Sequence, residues 1–473
     1  PPSQSNVQKK VEDLIVEMGD KNAKHLNMSR RQYLQTSCGM ATAFLAMNTI
    51  YGGGVFQVSE AEARDPEMML ERTARVEGQF IFDDQTHFLR DDFPHEAILG
   101  LGEFAAEHWN PKLKEEGLSL TRYKFENYIA ELWYRSDTKM SLLSGAPFDD
   151  PTWWLLHNDQ IVAARDMIND FAGSTRMLGH TVITPGQDGW MDEVDRAIEV
   201  LKPDSWKSYT IGDPLSPSKY PWRLDDEKLM YPFYEKAVKA YRNGGPKPTI
   251  CIHKGLLPPD YETSFKGVWQ YATVDDVPKA AQDWPEMNFV IYHSALRPFL
   301  ELPDQAWNEF EESGGYIKWS SDLAAIPEKY GVSNVYAEIG STFANSAVAH
   351  PRFCAAFIST LVKGMGADHV VWGTDTVWYG SPQWQIEAMR RLEVPEDMQK
   401  KYDLPALGGE NSLTKQAIFG LNSARLYELG LNEAKNLPDM PSFSEDKIGQ
   451  LAERFREEGG KPSNKRYGLV RTA

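Results

Sequence analysis

Eight short apolar runs, each followed by room for a helix, constrain this chain more than any other feature. They are "QFIFDD" (79–84), "MSLLSG" (140–145), "HTVITPG" (180–186), "SYTIGD" (208–213), "TICIHKG" (249–255), "FVIYHSA" (289–295), "VYAEIG" (335–340) and "HVVWGTD" (369–375). Strands that alternate with helical segments build a parallel sheet, and eight such units close it into a (β/α)8 barrel. The expected fold is therefore α/β, a TIM-type barrel over 79–430. A polar, helical-looking extension (1–78) precedes it, and a Pro- and charge-rich tail (431–473) follows.

Polar residues stand at the carboxyl ends of these runs, where barrels of this kind carry their chemistry. His87 follows the first run, His253 ends the fifth, His293 ends the sixth and Asp375 ends the eighth. Two or three imidazoles and a carboxylate around one pore make a divalent-metal site of the Zn, Mn or Fe type. Such a metal lowers the pKa of a bound water and turns it into a nucleophile near neutral pH. Arg90 and Arg297 have the geometry to hold a substrate carboxylate. Glu338, at the end of the seventh run, is a further acid for the mouth, and Trp378 and Tyr379 are candidate pocket walls. His180 starts its run, which predicts the opposite end of the barrel. A net charge of -18 disfavours nucleic acid and anionic lipid as partners. Cys38, Cys251 and Cys354 are too widely spaced to suggest a disulfide framework or a thiolate metal site.

Together, "FDDQTHF", "CIHKG", "IYHSA" and "WGTDTVW", closed by "KQAIFGLNSARLYEL", resemble the amidohydrolase superfamily. The nearer resemblance is to its branch of non-oxidative aromatic-acid decarboxylases and related hydrolases. "HNDQIVAARDM" (157–167) is similar to a helix start in that branch. The resemblance implies one divalent metal per chain, Zn first and Mn or Fe as alternatives, held by His87, His253 and Asp375. It makes His293 and Asp375 the catalytic pair, with His293 as the polarising or proton-handling group. The family has His-x-His or Glu-x-His on its first strand, whereas this chain has Gln85-Thr86-His87. Gln85 is then a weak neutral metal ligand, a hydrogen-bonding partner for substrate, or the mark of a site that has lost its metal.

The function implied first is metal-dependent hydrolysis of a small organic substrate. Asp375 would take the proton of the metal-bound water, and His293 would stabilise the oxyanion. Alternatives are non-oxidative decarboxylation of an aromatic acid, or O2-dependent oxygenation with iron or manganese. A non-catalytic partner subunit of such a complex is a further alternative.

The segment "MSRRQYLQTSCGMATAFLAMNTIYGGG", with "AEA" at 61–63, resembles a twin-arginine export signal. The competing reading, preferred here along with a cytoplasmic location, is a helix packed on the domain through Met40, Phe44, Met47 and Tyr51. Its apolar run is too short and too polar for a membrane span. The amphipathic stretch at 442–458 is expected to lie across this barrel or a neighbour's, in a homo- or hetero-oligomer of similar subunits.

Overall fold

All eight runs contribute strands, paired in parallel and in chain order. These are β1 (Phe82–Thr86), β2 (Met140–Leu143), β3 (Met177–Val182), β4 (Ser205–Tyr209), β5 (Thr249–His253), β6 (Asn288–Tyr292), β7 (Val335–Glu338) and β8 (Val370–Val371). The computed structural model describes residues 5–108, 113, 117–258, 260–297, 303–430 and 440–457.

The segment after β8 returns to β1 and closes the barrel. Asp84 N–H donates to Trp372 O (2.8 Å), Asp375 N–H to Gln85 O (2.9 Å) and His87 N–H to Thr376 O (2.6 Å). The Asp83 carboxylate ties the same seam, accepting from Thr374 N–H (2.9 Å) and from the Thr374 hydroxyl.

A β-bulge interrupts β1. Phe82 and Asp83 pair with Met140 and Ser141, but Thr86, not the next residue in register, pairs with Leu143. The extra residue shifts the alternation of side chains, as bulges do. It leaves Gln85 and His87 beside Asp375 at the mouth.

Below the mouth much of the barrel is filled with apolar side chains. Phe82, Met140, Leu142 and Leu178 pack with Ala424, while Cys251, Val290, Tyr292, Tyr336 and Val371 pack with Leu426. The helix Asn422–Leu426 therefore plugs the bottom, which accounts for the apolar pattern of "GLNSARLYEL".

Four helices precede the barrel: α1 (Asn6–His25), α2 (Arg30–Leu34), α3 (Ser37–Tyr51) and α4 (Pro66–Val76). Each starts at a residue whose side chain caps the first turn: Ser5, Ser29, Thr36 and Asp65. The twin-arginine-like segment thus forms α2 and α3. Tyr33 OH lies at the centre of this unit, donating to Ala63 O (2.7 Å) and pairing with Thr42 Oγ1 (2.5 Å). Phe44 and Met47 of α3 are buried, and Tyr51 OH donates to Ala349 O of the barrel (2.9 Å).

Buried ion pairs join the extension to the barrel. Glu62 contacts Arg391 Nη1 at 2.5 Å and Arg72 Nη1 at 3.4 Å, and Arg72 contacts Glu410 at 2.6 Å. The Arg391 side chain is only 1% exposed, so removing Glu62 leaves this buried cation with only the longer contact to Glu387 (3.7 Å) and the Gln57 carbonyl. Glu62→Ala is expected to cost about 3 kcal/mol of stability, read as a lower urea midpoint at unchanged slope.

His350 caps the helix Pro351–Met365, its Nδ1 accepting from Phe353 N–H at 3.1 Å, and its ring stacks on Trp307. Burial pushes its pKa down to about 4. The folded state therefore keeps the ring neutral where the unfolded chain protonates it. This contribution is complete above pH 6.5 and is lost as pH falls from 6.5 towards 4. Between pH 7 and pH 5 the wild type should lose about 2 kcal/mol more stability than His350→Asn, which keeps a capping acceptor. Urea unfolding at the two pH values measures the difference.

The amphipathic tail segment forms the helix Glu445–Glu457 and packs on this chain's own barrel. Phe455 stacks on Phe125 at 4.1 Å, Arg456 pairs with Glu126 at 2.6 Å, and Phe443 lies against Trp133. The basic end of the tail lies outside the described residues. Among the described residues, no helix is long and apolar enough to cross a membrane.

Candidate active site

Strained turns at the carboxyl ends of β6, β7 and β8 aim the site residues inwards. His293, Ser294 and Ala295 have φ of 61°, 48° and 51°, Ser341 has 56° and Asp375 has 59°. Each left-handed non-glycine residue costs on the order of 1 kcal/mol, so the surroundings must hold the turns in place. Glu338 does much of this. One of its carboxylate oxygens accepts from His293 N–H (3.0 Å) and the other from Gly340 N–H. Ser294 Oγ donates to the Glu338 carbonyl (2.7 Å), and His293 Nδ1 donates to Gly340 O (2.8 Å). Gly255 of "CIHKG" is glycine because it has φ of 69° and a side chain there would overlap the Ala295 backbone.

His87 and Asp375 come together. His87 Nε2 is 3.2 Å from Asp375 Oδ1, and His87 Nδ1 donates to Ser144 O at 2.8 Å. Trp378 Nε1 donates to Asp375 Oδ1 (3.2 Å), and Ser341 Oγ donates to Oδ2 (2.5 Å). Tyr379 OH is hydrogen-bonded to Ser341 at 2.6 Å. The Trp378 ring stacks on His87 and meets Tyr123 edge-on. Burial acts to raise the Asp375 carboxyl, but the bond to His87, the His87 and His293 charges and the Ser341 bond outweigh it and hold it low.

The other two histidines form a separate pair. The His253 and His293 rings meet edge-to-face at 4.4 Å, and Tyr209 stacks on the other side of His253 at 4.3 Å. His253 Nε2 donates to Gly255 O (3.1 Å), which leaves Nδ1 buried without a partner.

The four expected metal ligands are not brought to one point. Among the described residues, no group of three or more His, Cys, Asp or Glu is placed to hold a metal ion. The four expected ligands divide instead, with Gln85, His87 and Asp375 on one side and His253 turned towards Gly255 and His293 on the other. Gln85 Nε2 donates to Asp375 Oδ1 (3.3 Å) and lies 3.4 Å from His87 Nε2. Its Oε1 is buried without a partner. As placed, these side chains do not converge on one point.

Three residues expected at the substrate are bound into the protein instead. Arg90 donates to Trp154 O (3.0 Å) and Thr152 O (2.6 Å) and pairs with Asp92 (2.8 Å). Arg297 makes a two-point contact with Glu262, including Nε to Oε1 at 3.0 Å. Glu338 is fully buried, and burial lifts its carboxyl far above the usual range. Its oxygens serve the backbone of the turns. Trp378 does line the site.

Two further polar residues, one expected elsewhere and one not singled out in the sequence, lie on β3 and β4. His180 stands inside the barrel, not at its far end, and its Nδ1 is 2.9 Å from Ser144 Oγ. Lys207, at the centre of β4, is fully buried, with Nζ 3.4 Å from the centroid of the Tyr292 ring.

No family model matches the chain, and no curated protein matches it by sequence. Among solved structures it is similar to 2,6-dihydroxybenzoate decarboxylase from Rhizobium, with 13% identity over 74% of this chain and 99% of that one, TM-score 0.42. A 5-carboxyvanillate decarboxylase from Sphingomonas paucimobilis gives 15% identity over 74% and 99%, TM-score 0.39. A dihydroxybenzoic acid decarboxylase from Polaromonas, solved with manganese and an inhibitor, gives 14% over 76% and 100%, TM-score 0.43. The barrel assignment rests on this chain's own strand pairing, and these scores add nothing about its chemistry.

Proposed function

We propose that this protein is an enzyme that removes carbon dioxide from a small aromatic acid by protonating the ring carbon that bears the carboxylate. The observation that carries this reading is the contact between His87 Nε2 and Asp375 Oδ1. His87 Nδ1–H is already spent on Ser144 O. Without a proton on Nε2, two lone pairs would face each other in a buried site, which is unfavourable. The pair therefore holds a proton at the mouth, with Trp378 and Ser341 fixing the carboxylate that receives or delivers it.

The chemistry then balances without an added oxidant or reductant. The His87–Asp375 pair delivers its proton to the ring carbon. The C–C bond to the carboxylate breaks, its electron pair returns to the ring, and carbon dioxide leaves. The pair regains a proton from solvent. General acid catalysis of this kind contributes about 10²–10⁴-fold. A flat substrate suits a mouth lined by Trp378, Tyr379 and Tyr209. Hydrolysis through a metal-activated water, the first expectation from sequence, loses its support because His253 does not join His87 and Asp375.

The reading is tested by incubating the protein with salicylate and the dihydroxybenzoates and following loss of the acid by chromatography. Conversion of at least one to the phenol supports it. No conversion of any, with the protein folded, counts against it.

A further inference from the structure

Lys207 is a buried cation that the scheme above leaves without a task. It lies on β4 opposite Val182 and Cys251, with its side chain inside the barrel. Its Nζ sits over the Tyr292 ring at 3.4 Å and 5.3 Å from the centroid of the Tyr209 ring, and it makes no hydrogen bond. Those two rings place it directly below the mouth. Tyr209 stacks on His253, and Tyr292 is anchored by its hydroxyl on Asp84 O at 2.5 Å.

An ammonium with three unused donors and no ion-pair partner among the described residues is costly in a core, and cation–π contact offsets only part of that cost. Burial lowers its pKa to about 8, so it stays mainly charged near neutral pH. Glu338, Asp375 and Asp84 act on it through space without pairing with it: Glu338 is spent on the backbone of His293 and Gly340, Asp375 on Ser341 and Trp378, and both Asp84 carboxylate oxygens are themselves buried and unpartnered. Buried charges of this kind are retained where something else completes them. Lys207 is not alone. His253 Nδ1, His180 Nε2 and Gln85 Oε1 are also buried and unpartnered.

We infer that this barrel dispenses with a divalent ion and carries its cation covalently, as the Lys207 ammonium, which receives the anionic group of the substrate. Two cations sharing one low-dielectric space repel strongly, so Lys207 and a metal at the mouth exclude each other. The neutral Gln85 agrees with this, because a single positive charge needs fewer carboxylates around it than a divalent ion does. The substrate class follows as a small carboxylate or phenolate whose anionic oxygen takes the open Lys207 donors. The inference rests on the proposed decarboxylation for its substrate, but not for its metal.

The test uses the full chain. Wild-type protein is incubated with Mn2+ or Zn2+, desalted and assayed by elemental analysis. Salicylate binding is then read from thermal unfolding of the wild type and of Lys207→Met. The wild type should retain less than about a tenth of an equivalent of either metal. Salicylate should raise the wild-type Tm and bind Lys207→Met at least about tenfold more weakly. The unliganded Tm of that variant should not fall, because it loses a buried charge that has no partner; a purely structural lysine would give a clear drop. Should Lys207→Met fail to fold, Lys207→Gln takes its place, and the metal assay stands on the wild type alone. Near one equivalent of retained metal, or equal salicylate binding by the variant, would overturn the inference. Decarboxylation by a metal-loaded protein would overturn it and leave the proposed function standing. Salicylate binding without turnover would do the reverse.

Discussion

Asp375→Asn should lower decarboxylase turnover by about 10³-fold while KM changes little. The asparagine amide keeps the shape of the carboxylate; with its NH2 in the Oδ1 position beside His87, its oxygen still accepts from Ser341 Oγ, and Trp378 Nε1–H loses its acceptor. Its NH2 group can donate to His87 Nε2. That donation satisfies the lone pair which, in the wild type, must carry the transferable proton. The pair then has no acid to give. Thermal unfolding should show an intact fold, because the turn at 375 and its backbone bond to Gln85 O persist. Turnover within tenfold of wild type would show that the proton comes from elsewhere, with His293 the next candidate.

The largest stability effect is expected at Gly373. A methyl group there would overlap Glu338 Oε1 and press on Gln85 Cβ. Neither neighbour can yield easily. Glu338 is held at both oxygens by the backbone of His293 and Gly340, and Gln85 is fixed between His87 and Asp375. Relief requires Glu338 to leave, and with it goes the support for three consecutive left-handed residues at 293–295. Gly373→Ala should therefore cost about 3 kcal/mol or more, at the upper end of overpacking effects. Gly409→Ala, where nothing crowds the added atom, is the control and should change little. Equal unfolding midpoints for the two variants would contradict this account of the turn.

Much of the fold was legible because the eight runs carry the apolar pattern of buried parallel strands and the spacing of β/α units. The errors came where polar residues interrupt that pattern. β3 begins at Met177 and β4 at Ser205, upstream of the apolar runs that marked them. His180 therefore moved from the edge of its run into the barrel, and Lys207, just outside the fourth run, lies within β4. The alternation of Ser205, Lys207 and Tyr209 with Trp206 and Ser208 was a readable period-two signal. A lysine in the middle of it, however, suggests a solvent-facing strand unless closure is already known.

At the site, the sequence marked His87, His253, His293 and Asp375 but could not show which of them meet. That depends on the bulge in β1, on the turn that directs His253 Nε2 to Gly255 O, and on partners far away in the chain. Arg90, Arg297 and Glu338 illustrate the same limit. Their residue types suggest substrate contact, yet Thr152, Glu262 and the backbone at 293 and 340 had already engaged them. None of those pairings leaves a local trace in the sequence.

The central claim is that the His87–Asp375 pair moves a proton to and from a ring carbon, and isotope exchange measures this without requiring net reaction. The phenol formed from the accepted acid is incubated in D2O with the wild type and with Asp375→Asn, and ring hydrogens are followed by NMR. The wild type should exchange the hydrogen at the carbon that bore the carboxylate, and Asp375→Asn should not. No exchange by the wild type, or equal exchange by both proteins, would contradict the account.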